Sequence, residues 1–404
     1  MENSNAPRQL NIACIGTRGV PSNYSGIETA CEGLYSAIAS LGHKITVYCR
    51  SETNSQETDY YRGIRRIAMP AIRTRSLESL SHNAVCLSHA AIQRDYDIVH
   101  VHALAPGCFV PVCRFTKARL VSTVHGLDWQ RAKWKGVGSK LLRFGERSLV
   151  RHADQMIVVS QHLQRYYNLS YGRSTVHIPN GVEELVNNDK NDQDILRLYE
   201  LQPSEYILFL GRLVPEKRVE DLIMAYRFVP GNRKLVIAGD ISLHDGYITN
   251  LRALANEDSR VLFTGAQKRT AVHALFRNAA LFVNPSELEG LPMTVLECIQ
   301  HGTPVLASDI PSHRELLGGD HRYDLFFAHG NTDSLRRGID AALASIEYYR
   351  RLIASKRTVL LPDHSWAAIA KRTEDVYRAA LSLSVEEVQQ VKTAVRTQTM
   401  SSLP

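Results

Sequence analysis

The chain predicts an α/β fold built twice: two parallel-sheet domains in 404 residues, facing each other across a cleft. Two observations carry this. Apolar, β-branched runs such as LNIACIG (Leu10–Gly16) and YILFL (Tyr206–Leu210) are continuous rather than alternating, as in strands buried on both faces. Each is followed by a turn and an amphipathic segment with helical spacing, and the rhythm restarts midway. A typical domain has about 100–200 residues, so the length suits two, each large enough for its own core.

In the first half, Leu10–Gly16 reads as a buried strand. Gly26–Leu41 follows as a helix, with Ile27, Leu34, Ile38 and Leu41 as its apolar stripe. Lys44–Tyr48, Ile98–Val101, Arg119–Val124 and Gln155–Val159 continue the strands. The polar stretch Glu183–Asp194 reads as a linker. In the second half, Tyr206–Leu210, Lys234–Ala238, Arg260–Phe263, Leu281–Val283 and Pro304–Ala307 are strands. Glu216–Phe228 and Thr270–Arg277 are helices between them, and Trp366–Leu383 is a last helix. The boundaries are then an N-terminus over 1–8, a first domain over 9–185, a linker over 186–203, a second domain over 204–362, a helical segment over 363–384 and a tail over 385–404. Both ends are expected to be disordered. Parallel sheets of this kind open a crevice at the carboxyl ends of their strands.

A charged fraction of 22% and a hydrophobic fraction of 44% describe a soluble globular protein. No run of about 18 apolar residues could span a bilayer, and Met1–Arg8 lacks an apolar signal core. The seven cysteines include no C-x-x-C pair, and Cys14 and Cys49 sit in strand-like runs. They read as reduced thiols, which suits the cytoplasm.

The net charge is +7, and ten lysines and arginines between Arg114 and Arg151 face two acids, Asp128 and Glu146. Trp129 and Trp134 lie among them. Such a patch suits anionic lipid, a phosphorylated acceptor or nucleic acid, or is simply a solvated face. It lacks a recognised nucleic-acid motif, so no nucleic-acid partner is expected. Asp95-Tyr96-Asp97 and Asp192-Gln193-Asp194 have the D-x-D spacing of some metal sites. The first precedes a strand and the second lies in the linker, so both read as turn or capping acids and no metal is expected. Nothing resembles a zinc cluster, a P-loop or a nucleophile elbow.

The strongest signal is NPSELEGLPMTVLECIQHG, Asn284–Gly302. A strand ends, a loop carries Glu289-Gly290, and a helix begins near Leu291-Pro292, where proline costs no hydrogen bond. Seven residues lie between Glu289 and Glu297, so both acids can reach one elongated ligand. The free N–H groups of the first turn favour an anion, and a diphosphate between a sugar and a ribose fits. In LGRLVPEKR (Leu210–Arg218), Arg212 and Lys217 follow a strand end, where two cations can neutralise a diphosphate leaving group. Gly16–Glu28 is a loop whose glycines at 16, 19 and 26 allow close backbone approach without forming a dinucleotide fingerprint. His125-Gly126 ends a strand, and His100 and His102 read as packing or cleft residues.

The pattern N-P-S-x-x-E-G-x-P-x-x-x-L-E, with the following H-G-T-P-V-L-A-S-D, resembles the family-4 retaining glycosyltransferases. Their GT-B architecture has two Rossmann-like domains, and the resemblance spans residues 9–382. It implies that Glu289 contacts donor-sugar hydroxyls and Glu297 the ribose. Glu287 competes with Glu289 but ranks lower, because Gly290 directly follows Glu289. The pattern G-R-x-x-x-x-K gives Arg212 and Lys217 the phosphates, although Arg218 stands where the family often has glycine. His125 inherits a hydrogen bond to the donor sugar near the reacting carbon. Gly16, Gly19, Gly211, Gly290 and Leu291 complete the donor-binding set, and the last helix packs back on the first domain.

The implied reaction moves a sugar from a nucleoside diphosphate to an acceptor hydroxyl, with no cofactor beyond that co-substrate. The strings T-R-G-V-P, Y-x-G-I-E and G-L-D-W-Q-R-A-K-W look like a subgroup associated with bacterial surface polysaccharide (exopolysaccharide, lipopolysaccharide, capsule) and rhamnosyl transfer. A lipid-linked saccharide acceptor is then expected. Trp129, Arg131, Lys133, Trp134 and Lys135, with the basic helix through Arg151, would meet an anionic membrane surface on its inner, cytoplasmic side. The alternatives are a nucleotide-sugar epimerase or phosphorylase of the same fold, or a non-catalytic carbohydrate- or lipid-binding protein.

Overall fold

The computed structural model describes residues 8–383, apart from 23–25, 52–58, 73, 75–76, 135, 186–188, 240–244, 257 and 319–324. Lys135 and nearly all of both ends expected to be disordered lie outside the described residues. The chain forms two compact units, Met1–Gly181 with His364–Pro404, and Val182–Asp363.

In the first unit the strands are β1 (Asn11–Ile15), β2 (Lys44–Arg50), β3 (Tyr60–Tyr61), β4 (Ile64–Met69), β5 (Ile98–His102), β6 (Arg119–Val124), β7 (Gln155–Val158) and β8 (Val176–His177). They pair in the order β3-β4-β2-β1-β5-β6-β7-β8, parallel throughout except for β3 with β4. β3, β4 and β8 were not foreseen, for physical reasons. Two-residue strands carry no period. In β4 the inward position between Ile64 and Met69 region residues is taken by Arg66, buried at 3% exposure with its guanidinium donating to the Val20 carbonyl at 3.4 Å.

The core of this unit joins Ile12, Cys14, Tyr35, Ile38, Val47 and Ile98 to Ile369, Val376 and Tyr377 of the last helix, Trp366–Ser382. That helix packs on Gly26–Ser40 and is capped by Ser365, whose hydroxyl accepts from the Ala368 N–H at 3.2 Å. Leu41, expected in the apolar stripe, falls just past the first helix and is exposed.

In the second unit the strands are β9 (Tyr206–Leu210), β10 (Lys234–Ala238), β11 (Val261–Gly265), β12 (Leu281–Asn284), β13 (Val305–Ser308) and β14 (Phe326–Phe327). Their order is β11-β10-β9-β12-β13-β14, all parallel. Two expectations need correction here. The stretch read as a linker holds a helix, Asp189–Leu198, packed on the helix Arg269–Asn278; its polar exposed face hid a stripe that buries Leu196. The single helix expected over Glu216–Phe228 is a short turn, Pro215–Lys217, then a helix, Val219–Tyr226. Arg218 breaks it, at a φ of 51°.

Each sheet reverses its strand order once, between β1 and β5 in the first unit and between β9 and β12 in the second. Such a switch point leaves a crevice outside the carboxyl ends of the two strands, because their connections leave in opposite directions. The residues there are Gly16 and His102 in the first unit, and Gly211 and Asn284 in the second. Gly16 must lack a side chain: its φ is 106°, and a Cβ would lie 2.2 Å from the His102 carbonyl oxygen.

Candidate active site

The second unit's switch point gathers most of the residues singled out in the sequence. Gly211 and Arg212 follow β9, with the Gly211 N–H bonded to the Ala238 carbonyl at 3.0 Å. The loop after β12 carries Glu289, Gly290 and Leu291, and Leu291 is buried. The two loops are tied by a backbone bond from the Glu287 N–H to the Glu216 carbonyl, 3.0 Å. That tie places Lys217 against Glu289, whose Oε1 accepts from the Lys217 ammonium. The two side chains are only 16% and 12% exposed. Burial pushes the Glu289 carboxyl up, but the Lys217 charge, His313 and Ser286 outweigh it and hold the group below the usual carboxylate range. Glu287, the competitor, is 40% exposed and sits 4.0 Å from Arg218 and 3.9 Å from His329.

The helix Met293–His301 begins just after Pro292, slightly later than expected, and ends at Gly302 in the left-handed region. Glu297 lies within it, buried. Its partner is neither Arg212 nor Lys217 but Arg269, whose Nη1 donates to Oε1 at 2.5 Å. Arg269 also reaches Glu183 at 3.5 Å. Burial lowers the Arg269 pKa, yet Glu297 and Glu183 raise it further, above its ordinary value. Arg269 escaped the sequence reading because it opens a helix with no motif around it.

His313 also escaped that reading. It is fully buried, and its Nδ1–H donates to the Ser308 carbonyl at 2.8 Å, while Nε2 has no hydrogen-bond partner among the described residues. The Ser308 hydroxyl in turn donates to the Ser286 carbonyl, and the Ser286 hydroxyl to Asn284 Oδ1 at 2.5 Å. This chain runs under the Glu289 loop and braces it. Arg218 explains the family's preference for glycine after the lysine: its φ lies where glycine is favoured. Here a bidentate pair with Asp221, at 2.9 and 3.1 Å, accompanies the strained backbone.

The first unit's switch point is built from neutral groups. His125 follows β6, 9% exposed, and its Nε2 lies 3.0 Å from His102 Nδ1. His102 Nε2 lies 2.7 Å from the Tyr35 hydroxyl. His100 bonds Tyr377 and Thr123, each at 2.7 Å. Burial lowers all three imidazoles, His100 to about 3 and His125 to about 4, with His102 well below its ordinary value. Cys14, Cys31 and His102 offer ligand atoms within 4.8 Å of one another. Both His102 nitrogens are already engaged, and burial drives the Cys31 thiol pKa up, so the trio packs as core. Gly19 lies in the loop after Gly16, where its N–H meets the Thr17 hydroxyl at 3.3 Å.

One acid of each D-x-D pair makes a structural contact. Asp97 accepts from the Asn11 N–H at 2.9 Å, and Asp192 from Asn278 at 3.0 Å. Trp129 turns its indole N–H to Glu146 at 2.9 Å, with the Arg143 guanidinium 4.1 Å over its ring. Arg131 is paired with Asp128 at 3.3 Å, and Lys133 lies 5.1 Å over the Trp134 ring. Lys133 is exposed, and the basic face continues along the helix Val137–His152 through Lys140, Arg143, Arg147 and Arg151, interleaved with Val137 and Phe144. Among the described residues, no helix is long and apolar enough to cross a membrane.

Residues 193–359 match the family model of Glycosyl transferases group 1, and residues 24–184 that of Glycosyltransferase Family 4. The chain is a glycosyltransferase of the GT-B type. An uncharacterized glycosyltransferase of Methanocaldococcus jannaschii is 26% identical over 396 residues, covering 93% of this chain and 99% of its own. The serotype-specific mannosyltransferase WbdA of Escherichia coli is 30% identical over 192 residues, 46% of this chain and 23% of that protein. The crystal structure of HepE from Anabaena, in complex with UDP and glucose, shares the fold of this glycosyltransferase. Its TM-score is 0.76 at 16% identity, over 92% of this chain and 100% of that one.

The buried imidazoles give this glycosyltransferase a distinct acid response. A histidine whose folded pKa is depressed stabilises the fold fully above about pH 6.5, its unfolded value. That stability is lost as the pH falls toward about 4, where His125 and His313 protonate. Urea unfolding between pH 7.5 and 4.5 should show stability declining from just below pH 6.5, ahead of the carboxylate range. A flat profile down to pH 5 would contradict these assignments.

Proposed function

We propose that this glycosyltransferase takes its sugar from a nucleoside diphosphate, retains the anomeric configuration and uses no divalent metal. The observation that carries the reading is the Lys217–Glu289 ion pair at the second sheet's switch point. An arriving diphosphate competes for Lys217 and leaves Glu289 to accept from sugar hydroxyls. Glu297 serves the ribose in the same way under Arg269. As the glycosidic bond breaks, Arg212, Lys217 and the first N–H groups of the Met293–His301 helix neutralise the departing diphosphate. Its phosphate oxygen takes the proton of the acceptor hydroxyl, which attacks from the face being vacated. No side chain is assigned as a covalent nucleophile, because Glu289 is given to the sugar hydroxyls and no second carboxylate is assigned to the reacting carbon. The solved HepE complex holds UDP and glucose, which supports a nucleotide-sugar donor.

Glu297→Ala should weaken nucleoside diphosphate binding by about tenfold or more, read as a smaller thermal shift. Glu289→Ala should keep that shift and lose about 10²–10³ in turnover. The product's anomeric NMR coupling should match the donor's, and EDTA should leave the rate unchanged. An inverted product, or full turnover in Glu289→Ala, contradicts the proposal. Conversion of the donor sugar without acceptor marks an epimerase, dependence on phosphate a phosphorylase, and binding without any turnover a carbohydrate-binding protein.

The acceptor we propose is a lipid-linked saccharide in bacterial surface-polysaccharide synthesis, of the rhamnosyl-transfer kind, met at the inner face of the membrane. The WbdA relative, a serotype-specific mannosyltransferase, supports the pathway class. The exposed face of Val137–His152 supports the surface: cations beside Phe144 and Val137, 56% and 80% exposed, suit anionic headgroups and the acyl boundary. Anionic vesicles should sediment the protein at low salt, and Phe144→Ala with Arg147→Glu should abolish this. Equal sedimentation of both proteins would count against the membrane face.

A further inference from the structure

We infer that His102 is a positioning residue that fixes the tautomer of His125, with the Tyr35 hydroxyl setting the direction. The inference rests on the reading that His125 faces the donor sugar. In β5, His100 and His102 occupy alternate positions and therefore share a face of the strand, with rings stacked at 4.4 Å between centroids. They are not equivalent. His100 bonds Tyr377 and Thr123, whereas His102 links Tyr35 at 2.7 Å to His125 at 3.0 Å.

A neutral imidazole has one N–H and one lone pair, so each contact in the chain needs one proton from one side. Only two proton arrangements satisfy both contacts. The Tyr35 hydroxyl also meets Cys14 and Tyr377, but the imidazole nitrogen is the strongest base among these acceptors, so Tyr35 donates to His102 Nε2. His102 must then carry its proton on Nδ1 and donate it to His125 Nε2. His125 is left with its proton on Nδ1, which has no hydrogen-bond partner among the described residues. The buried Tyr35 thereby presents a fixed N–H donor at the carboxyl end of β6, ready for a sugar oxygen. The depressed pKa values keep both rings neutral at pH 7, as the arrangement requires. The signal was in the DIVHVH run, but the link to a residue 23 positions further on comes only from the sheet.

The test is a long-range proton–nitrogen NMR correlation on ligand-free protein labelled with ¹⁵N-histidine, with His125 assigned by loss of its signals in His125→Gln. The expected spectrum has His125 protonated at Nδ1 and bare at Nε2. Tyr35→Phe should release the constraint, giving a mixed or Nε2-protonated His125, and should lower kcat by about tenfold, as loss of an orienting partner does elsewhere. The acceptor KM should change less than about twofold, since uniform binding is untouched. A wild-type His125 protonated at Nε2 overturns the inference, and so does a tautomer unmoved by Tyr35→Phe. Should that variant fail to fold, the wild-type spectrum alone decides. Full transfer by His125→Gln would overturn the sugar contact assigned to His125 while leaving the measured tautomer intact, so the two readings fail separately.

Discussion

The second unit depends on a pair of opposite charges held mostly out of water. Taking Lys217 and Glu289 from solvent is costly, and such pairs often add little to stability. The chain nevertheless positions them with care: strand order reverses between β9 and β12, a backbone bond ties the two loops, and a serine–histidine chain braces the glutamate. A charge pair built this way is most useful when a ligand must replace one half of it. Arg269 and Glu297 form a second such pair in the same unit.

The first unit uses the same topology with different chemistry. Its switch point carries glycines and neutral imidazoles instead of ion pairs. Burial decides the difference. Desolvation pushes the histidines toward their uncharged form, whereas Glu289 stays ionised because a cation is close enough to win. A charged crevice suits a diphosphate, and a neutral hydrogen-bonding one suits the hydroxyls of a sugar. Both surfaces follow from one sheet design applied to two sequences.

Much of this was legible in the sequence, and the exceptions have physical causes. Continuous apolar runs gave nearly every buried parallel strand, because burial on both faces leaves no ambiguity of period. The strands missed were β3, β8 and β14, each two residues long, and β4, which buries an arginine. The Asn284–Gly302 run gave Glu289 and Glu297 their places, but not the partner of Glu297. Arg269 comes from another βα unit, and only the fold brings it 2.5 Å from Glu297. His102 was visible but mute, because its meaning lies in contacts across two neighbouring elements. The Glu183–Asp194 stretch misled through composition, its polar exposed face masking a helix.

The central claim is that the crevice between β9 and β12 is where a nucleoside diphosphate binds. A structure solved with a nucleoside diphosphate bound tests it most directly. The account predicts the phosphates on Arg212 and Lys217, with the ribose hydroxyls on Glu297 and the Lys217–Glu289 contact exchanged for contacts to the ligand. A nucleotide seated elsewhere, with both ion pairs undisturbed, would contradict it.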